Sequence, residues 1–269
     1  MLSELGSQSN PSASFPSIGK NGVMYSDNFS ELGPSSDGII AQWKFNGNSR
    51  DYGGSDLQNT VNGSPSFGIG LNGNQSVVLV DGDYYTFGDE AGSVVDFGSN
   101  DSFSLSAWVK TSYSGGHQRF LWYGGTVNAG WNCFVINTGA ARLKVFDGTN
   151  SANVDTVETT IQDGLWHHIV ATRDTVNDLL KIYLDGNYSN EAADSTVDLS
   201  SIETFAIARN TFADSDNVIG SLQDIRIYNK VLTAEEVNIL YKMITDTVNT
   251  KMQLEQDSWY VSQEFKETL

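Results

Sequence analysis

The chain of 269 residues has one cysteine, Cys133, so it has no internal disulfide framework. Cys133 reads as a small core hydrophobe, because nothing near it marks a reactive thiol. Basic residues are scarce, with 15 Lys and Arg against 33 Asp and Glu, a formal net charge of −18. A field of that sign repels phosphate backbones and excludes nucleic acid as a partner. It favours solubility and attracts divalent cations. No apolar run approaches the length of a membrane span, so membrane insertion is not expected. Met1 to Lys20 has no basic segment followed by an apolar core, and no secretory signal is expected there.

Residues 1–38 are rich in Ser, Gly, Asn and Pro, as in Ser7-Gln8-Ser9-Asn10-Pro11-Ser12 and Gly33-Pro34-Ser35-Ser36-Asp37-Gly38. They have little apolar period and read as an extended arm, to be held by another surface in an assembly. From Ile39 the texture changes to short alternating apolar runs separated by Gly, Asn, Asp and Ser, the pattern of a sandwich. Phe103, Leu105, Ala107 and Val109 point one way, and Ser104, Ser106, Trp108 and Lys110 the other. Leu180, Ile182 and Leu184 alternate likewise before an Asp185-Gly186 turn. Further strands are predicted over Ile39–Phe45, Ser76–Val80, Tyr84–Phe87, Arg119–Tyr123, Asn132–Ile136, Arg142–Phe146, Trp166–Arg173, Ile202–Ala208 and Val218–Tyr228. In the last, Leu222 is out of phase with Ile225 and Ile227, and a bulge near Gln223 and Asp224 would resolve the slip. Thr233-Ala234-Glu235-Glu236 is a capping box, and Val237, Leu240, Tyr241 and Ile244 form the apolar stripe of a helix behind it. Residues 245–269 continue that helix or form a tail.

Four segments in order carry a family resemblance. Ala41-Gln42-Trp43-Lys44-Phe45 resembles an opening strand, and Phe103 to Lys110 a central core strand. Asp163-Gly164-Leu165-Trp166-His167-His168, with Ile182-Tyr183-Leu184-Asp185-Gly186, resembles a late strand pair. Gly220 to Val237 resembles a closing signature. Together they resemble the laminin-G-like, concanavalin A-like jelly rolls over about Ile39 to Tyr241. The resemblance implies an all-β, two-sheet antiparallel jelly-roll sandwich with one short helix after the last strand and extended terminal arms. The domains are then an arm over 1–38, the jelly roll over 39–244 and a tail or helix over 245–269. The fold itself hosts lectins, adhesion modules, glycosidases and viral proteins, so it leaves function open.

Gly68-Ile69-Gly70-Leu71-Asn72-Gly73 matches a dinucleotide-binding pattern, but that chemistry needs a helix after it, and a predicted strand follows. These glycines read as turn residues. His167 and His168 are adjacent in a strand and point to opposite faces, so they do not share a metal. His117, in the loop Ser114-Gly115-Gly116-His117-Gln118, is an exposed residue or a ligand contact. The Glu-x-Asp-x-x-Glu strand of concanavalin A-like hydrolases is absent, and the acidic residues, among them Asp81, Asp83 and Asp214, fall in turns. Calcium wants several oxygen ligands, and family members often carry one ion. The first and last strands are neighbours in this fold, so Asp51 and Asp224 are the candidate calcium ligands, the alternative being aspartates that bind their own backbone. Trp122, Trp131, Arg209 and Asn210 are candidates for glycan binding, against the reading that sandwich aromatics are core.

Three functions follow. The first is a non-enzymatic structural component of a virion (capsid decoration, tail or fibre) that displays the sandwich. Its terminal arms would hold other virion proteins or a second copy. The second is a free carbohydrate-binding or adhesion module at a cell surface or outside the cell. The third is a polysaccharide-degrading enzyme, whose motif is missing.

Overall fold

The alternation around Phe103 sets the centre of the structure. Phe103, Leu105, Ala107 and Val109 are all in the main core, as are Leu180, Ile182 and Leu184. The computed structural model describes residues 17–18, 24–25, 37–88, 94–124, 128–211 and 216–246. The chain divides into two units, Met1–Ser35 and Ser36–Leu269. In the first, β1 (Ser17–Ile18) pairs antiparallel with β2 (Met24–Tyr25). The rest of the arm predicted over 1–38, up to residue 36, lies outside the described residues, as does 247–269 of the predicted tail or helix.

The second unit holds β3 (Ile39–Trp43), β4 (Asn59–Asn62), β5 (Ser66–Ile69), β6 (Gln75–Leu79), β7 (Tyr84–Phe87), β8 (Phe103–Lys110), β9 (Gln118–Gly124) and β10 (Gly130–Val135). It continues with β11 (Ala141–Phe146), β12 (Ser151–Asp155), β13 (Trp166–Asp174), β14 (Leu179–Leu184), β15 (Asn187–Ala193), β16 (Ala206–Ile207) and β17 (Gly220–Tyr228). One sheet has the order β12-β11-β10-β9-β16-β7-β4, and the other β15-β14-β13-β8-β17-β6-β5. All pairings are antiparallel, and β3 joins the second sheet beside β17. The inner faces meet in one core that includes Trp43, Phe87, Phe103, Trp131 and Phe205. Cys133 lies in it, and burial pushes its thiol far above the ordinary range, so it is inert.

The bulge predicted in β17 is present. The register against β8 shifts between Gln223 and Arg226, and Asp224 takes φ +47°. The extra residue brings Leu222, Ile225 and Ile227 into one core. It also lets β17 change neighbours: Gly220–Leu222 pair with β6, and Ile225–Tyr228 with β3. Two expectations need correction. Gly68 lies inside β5 rather than in a turn. The strand predicted over Ile202–Ala208 forms only at Ala206–Ile207, and it ends there because Ala208 adopts φ +75° and leaves the extended region.

Helix α1 (residues 234–246) follows β17. Its capping box closes as predicted, with Thr233 N–H donating to Glu236 at 2.8 Å and Glu236 N–H to Thr233 Oγ1 at 3.2 Å. Leu232, Val237 and Leu240 pack on Val170, Tyr183 and Tyr228, and Tyr241 stacks on Trp108 at 5.5 Å. The helix therefore covers part of the outer face of the second sheet.

Candidate functional site

Three stretches far apart in sequence meet at one end of the sandwich. They are the turn before β7 (Asp81), the loop from β8 to β9 (Tyr113, Gly115, Gly116, His117) and the segment before β17 (Asp216, Asn217, Ile219). They line a cleft of about 320 Å³, a volume in the range of small-ligand sites. Buried Gln118 organises its floor. The Gln118 side chain donates to Tyr113 O at 2.8 Å and accepts from Ile219 N–H at 3.2 Å. Gly115 lies against the end of the Tyr113 ring, and a Cβ there would meet the ring unless the tyrosine shifted. Tyr113 is 37% exposed. His117 belongs to the cleft, and its Nδ1 accepts from Asn137 N–H at 3.3 Å.

The polar groups of the cleft are held in place. Asn217 Nδ2 donates to Asp81 at 2.6 Å, which leaves Asn217 Oδ1 as a buried acceptor without a partner. Asp216 accepts from Arg119 Nε at 2.9 Å. Burial lowers the Arg119 pKa from its ordinary value, opposed by Asp216. The arrangement offers a ring, carboxylates, an amide and glycine main chain to one small polar molecule. A second cleft of about 390 Å³, lined by Asp96, Asn128, Ala129, Ser200, Ser201 and Ile202, has no aromatic face.

The residues singled out from the sequence fall in different places. Trp131 is fully buried, and its indole N–H donates to Val95 O at 2.9 Å. It packs on Phe97, Phe103, Tyr123 and Phe205, so the binding platform considered there is core. Trp122 lies on the opposite, outer face in register with Ala206 and Asn132, but it is 1% exposed. Its indole N–H is buried without an acceptor. Arg209 places its guanidinium over the Tyr84 ring at 4.2 Å, and Asn210 beside it is buried. These four do not form one site.

Asp51 and Asp224 are neighbours, as the strand order implied. Gln42 joins them: its N–H donates to Asp51 at 2.8 Å and its side chain to Asp224 at 2.7 Å. Yet their oxygens are engaged internally. Asp51 also accepts from Gly53 N–H at 2.7 Å and Leu57 N–H at 3.1 Å. Asp224 also accepts from Arg226 Nη2 at 2.7 Å. Burial raises the Asp224 pKa, but Arg226 and Gln42 outweigh it and hold the carboxyl below its ordinary value. Among the described residues no group of three or more His, Cys, Asp or Glu is placed to hold a metal. The two aspartates singled out as calcium candidates thus accept from backbone N–H groups, from Gln42 and from Arg226.

One contact was not foreseen. Ser106 Oγ lies 2.9 Å from His168 Nε2. His168 Nδ1 has no partner, and the ring is stacked beside Trp108 and Tyr241. Burial pushes its pKa down to about 4. A nucleophilic pair needs a reachable serine and a third group that orients the histidine. Both residues are buried, and that third group is missing among the described residues.

Solved structures share this architecture at low identity. The binding domain of Paraclostridial Mosquitocidal Protein 1 aligns at TM-score 0.63 and 15% identity, over 77% of this chain and 52% of that one. The binding domain of botulinum neurotoxin DC in complex with SialylT aligns at 0.59 and 15%, over 78% and 52%. The botulinum neurotoxin serotype G binding domain aligns at 0.61 and 19%, over 76% and 51%. The chain thus spans about half the length of these structures. No curated protein matches it. The Laminin_G_3 family, described as the concanavalin A-like lectin/glucanases superfamily, matches residues 79–238, more than half of the chain. With the two antiparallel sheets and the closing helix described above, the chain belongs to that family.

Proposed function

We propose that the sandwich is a non-enzymatic recognition domain that binds carbohydrate in the cleft of Tyr113, Asp81 and Asn217. The observation that carries this reading is the composition of the cleft. An exposed tyrosine ring suits the apolar face of a sugar ring, and a fixed amide and carboxylates suit its hydroxyls. Among the described residues the cleft's carboxylates are already engaged, Asp81 by Asn217 and Asp216 by Arg119, and the Ser106–His168 contact is buried. Similar folds support the reading, since one is a neurotoxin binding domain in complex with SialylT, and cell entry of botulinum neurotoxin type C depends on two ganglioside molecules. The domain then acts on glycans at a cell surface or in the extracellular space.

A glycan array tests this with wild type and Tyr113→Ala. Wild type retains a defined set of glycans and Tyr113→Ala loses them. An array on which no glycan is retained, or on which both proteins bind alike, contradicts the proposal.

Display on a virion is the finer reading. It rests on the composition of residues 1–38, which suits an arm held by other virion proteins or a second copy. Deleting 1–38 then abolishes incorporation into a particle and leaves the sandwich folded. Unchanged assembly contradicts it.

A further inference from the structure

We infer that the outer face of the seven-stranded sheet, along β11, holds an anionic group of the bound glycan, a carboxylate or a sulfate, against Lys144 and Arg142. The inference rests on the carbohydrate reading above and specifies its ligand class. Leu143 and Val145 point into the core, so Arg142 and Lys144 project from the opposite face. Register extends that face sideways. Lys144 lies between Asn132 of β10 and Asn153 of β12, and Arg142 between Phe134 and Asp155. Arg119 joins from β9, with Nη1 donating to Asn132 at 2.6 Å and its guanidinium 4.3 Å over the Phe134 ring.

Three cations therefore share one face of a chain with a net charge of −18 and only 15 basic residues. Two of them are neutralised locally. Arg142 forms a two-pronged pair with Asp155 at 2.6 Å, and Arg119 pairs with Asp216 at 2.9 Å. Lys144 has no carboxylate partner among the described residues. It is half-buried, and burial together with the nearby Arg119 and Arg142 lowers its pKa. A half-buried ammonium beside two guanidinium groups lacks the counter-charge that such a site favours. An anionic ligand oxygen supplies it, and exposed Asn153 stands beside the position it would take. The face also continues into the cleft. Asp216 is in the cleft wall, Arg119 holds it, and β11 lies two strands from β9, about 10 Å away at ordinary strand spacing. One short oligosaccharide can span both places.

Titration calorimetry on the full chain tests this with sialyllactose, sulfated lactose and lactose, at low and high NaCl. One charge-assisted contact predicts that the two acidic sugars bind about tenfold tighter than lactose, and that salt erodes the advantage. Lys144→Gln removes the advantage and Lys144→Arg keeps it, with both variants folded by circular dichroism. A preference for sialyllactose alone or sulfated lactose alone identifies which anion the face takes. Equal binding of all three sugars, or an acidic preference that survives Lys144→Gln, overturns the inference and leaves the carbohydrate reading standing. Binding of none of the three overturns the inference, and a blank glycan array overturns the carbohydrate reading with it.

Discussion

Arg119 Nε lies 2.9 Å from an Asp216 carboxylate oxygen, joining residues 97 positions apart. The pair ties the start of β9 to the segment before β17 and forms a wall of the cleft. Asp216→Ala leaves a largely buried guanidinium without its anion. The expected loss is about 1–3 kcal/mol of stability, read by urea denaturation, with Asp216→Asn losing less because its amide still accepts. No measurable loss in Asp216→Ala contradicts the role of this pair.

A second pair lies deeper. Arg173 and Asp194 meet at 2.8 Å, with side chains 1% and 3% exposed. Arg173 also donates to the carbonyls of Gly98, Thr196 and Val197. Asp194→Ala strands that charge and is expected to cost about 3–5 kcal/mol. The exposed pair Lys181–Glu191, at 3.8 Å, is worth at most about 1 kcal/mol. Thermal or urea melts of Asp194→Ala and Glu191→Ala separate the two, and equal losses contradict the assignment.

Two adjacent histidines give stability opposite pH dependences. His167 Nδ1 lies 2.8 Å from Asp185 and Nε2 3.2 Å from Asp163, and these carboxylates raise its pKa above the ordinary value despite partial burial. The folded state then holds a proton that the unfolded chain releases. This stabilisation is complete below about pH 6.5, the unfolded value, and is lost as pH rises through the folded pKa. His168 is the reverse. Burial pushes it down to about 4, so between about pH 6.5 and 4 the unfolded chain takes a proton that the folded state refuses, and stability falls with pH. Urea midpoints across pH test this by difference from wild type: His167→Gln flattens the alkaline side and His168→Gln the acid side. The opposite assignment contradicts it.

Trp131 and Tyr113 separate core from site. Trp131→Ala is expected to cost about 3–5 kcal/mol, whereas exposed Tyr113→Ala stays within about 0.5 kcal/mol of wild type. A stable Trp131→Ala protein would contradict the core placement of this indole.

The fold was legible where burial is one-sided and the period clean, as in Phe103 to Val109 and Leu180 to Leu184. The β17 bulge and the Thr233 cap were legible for the same reason: a phase slip and a capping box are local signals. Strands β4, β5, β12 and β15 were not, because Asn-Thr-Val-Asn, Ser-Phe-Gly-Ile, Ser-Ala-Asn-Val-Asp and Asn-Tyr-Ser-Asn-Glu-Ala-Ala carry few apolar residues. All four are edge strands, each paired on one side only, and one-sided pairing tolerates polar residues. Of the residues that line the cleft, the sequence singled out His117 as a loop residue and Asp81 as a turn aspartate. Trp122 and Trp131 lie on strands buried on both faces, where alternation does not tell core from surface. The cleft joins positions 81, 113–117 and 216–219, a proximity that only long-range strand pairing creates.

The most direct test of the account is amide chemical-shift mapping of the labelled full chain with the strongest glycan from the array. The account predicts that the largest changes fall at Tyr113–His117 and Asp216–Ile219, around the cleft. Changes confined to another part of the sandwich, or none at saturating glycan, would contradict it.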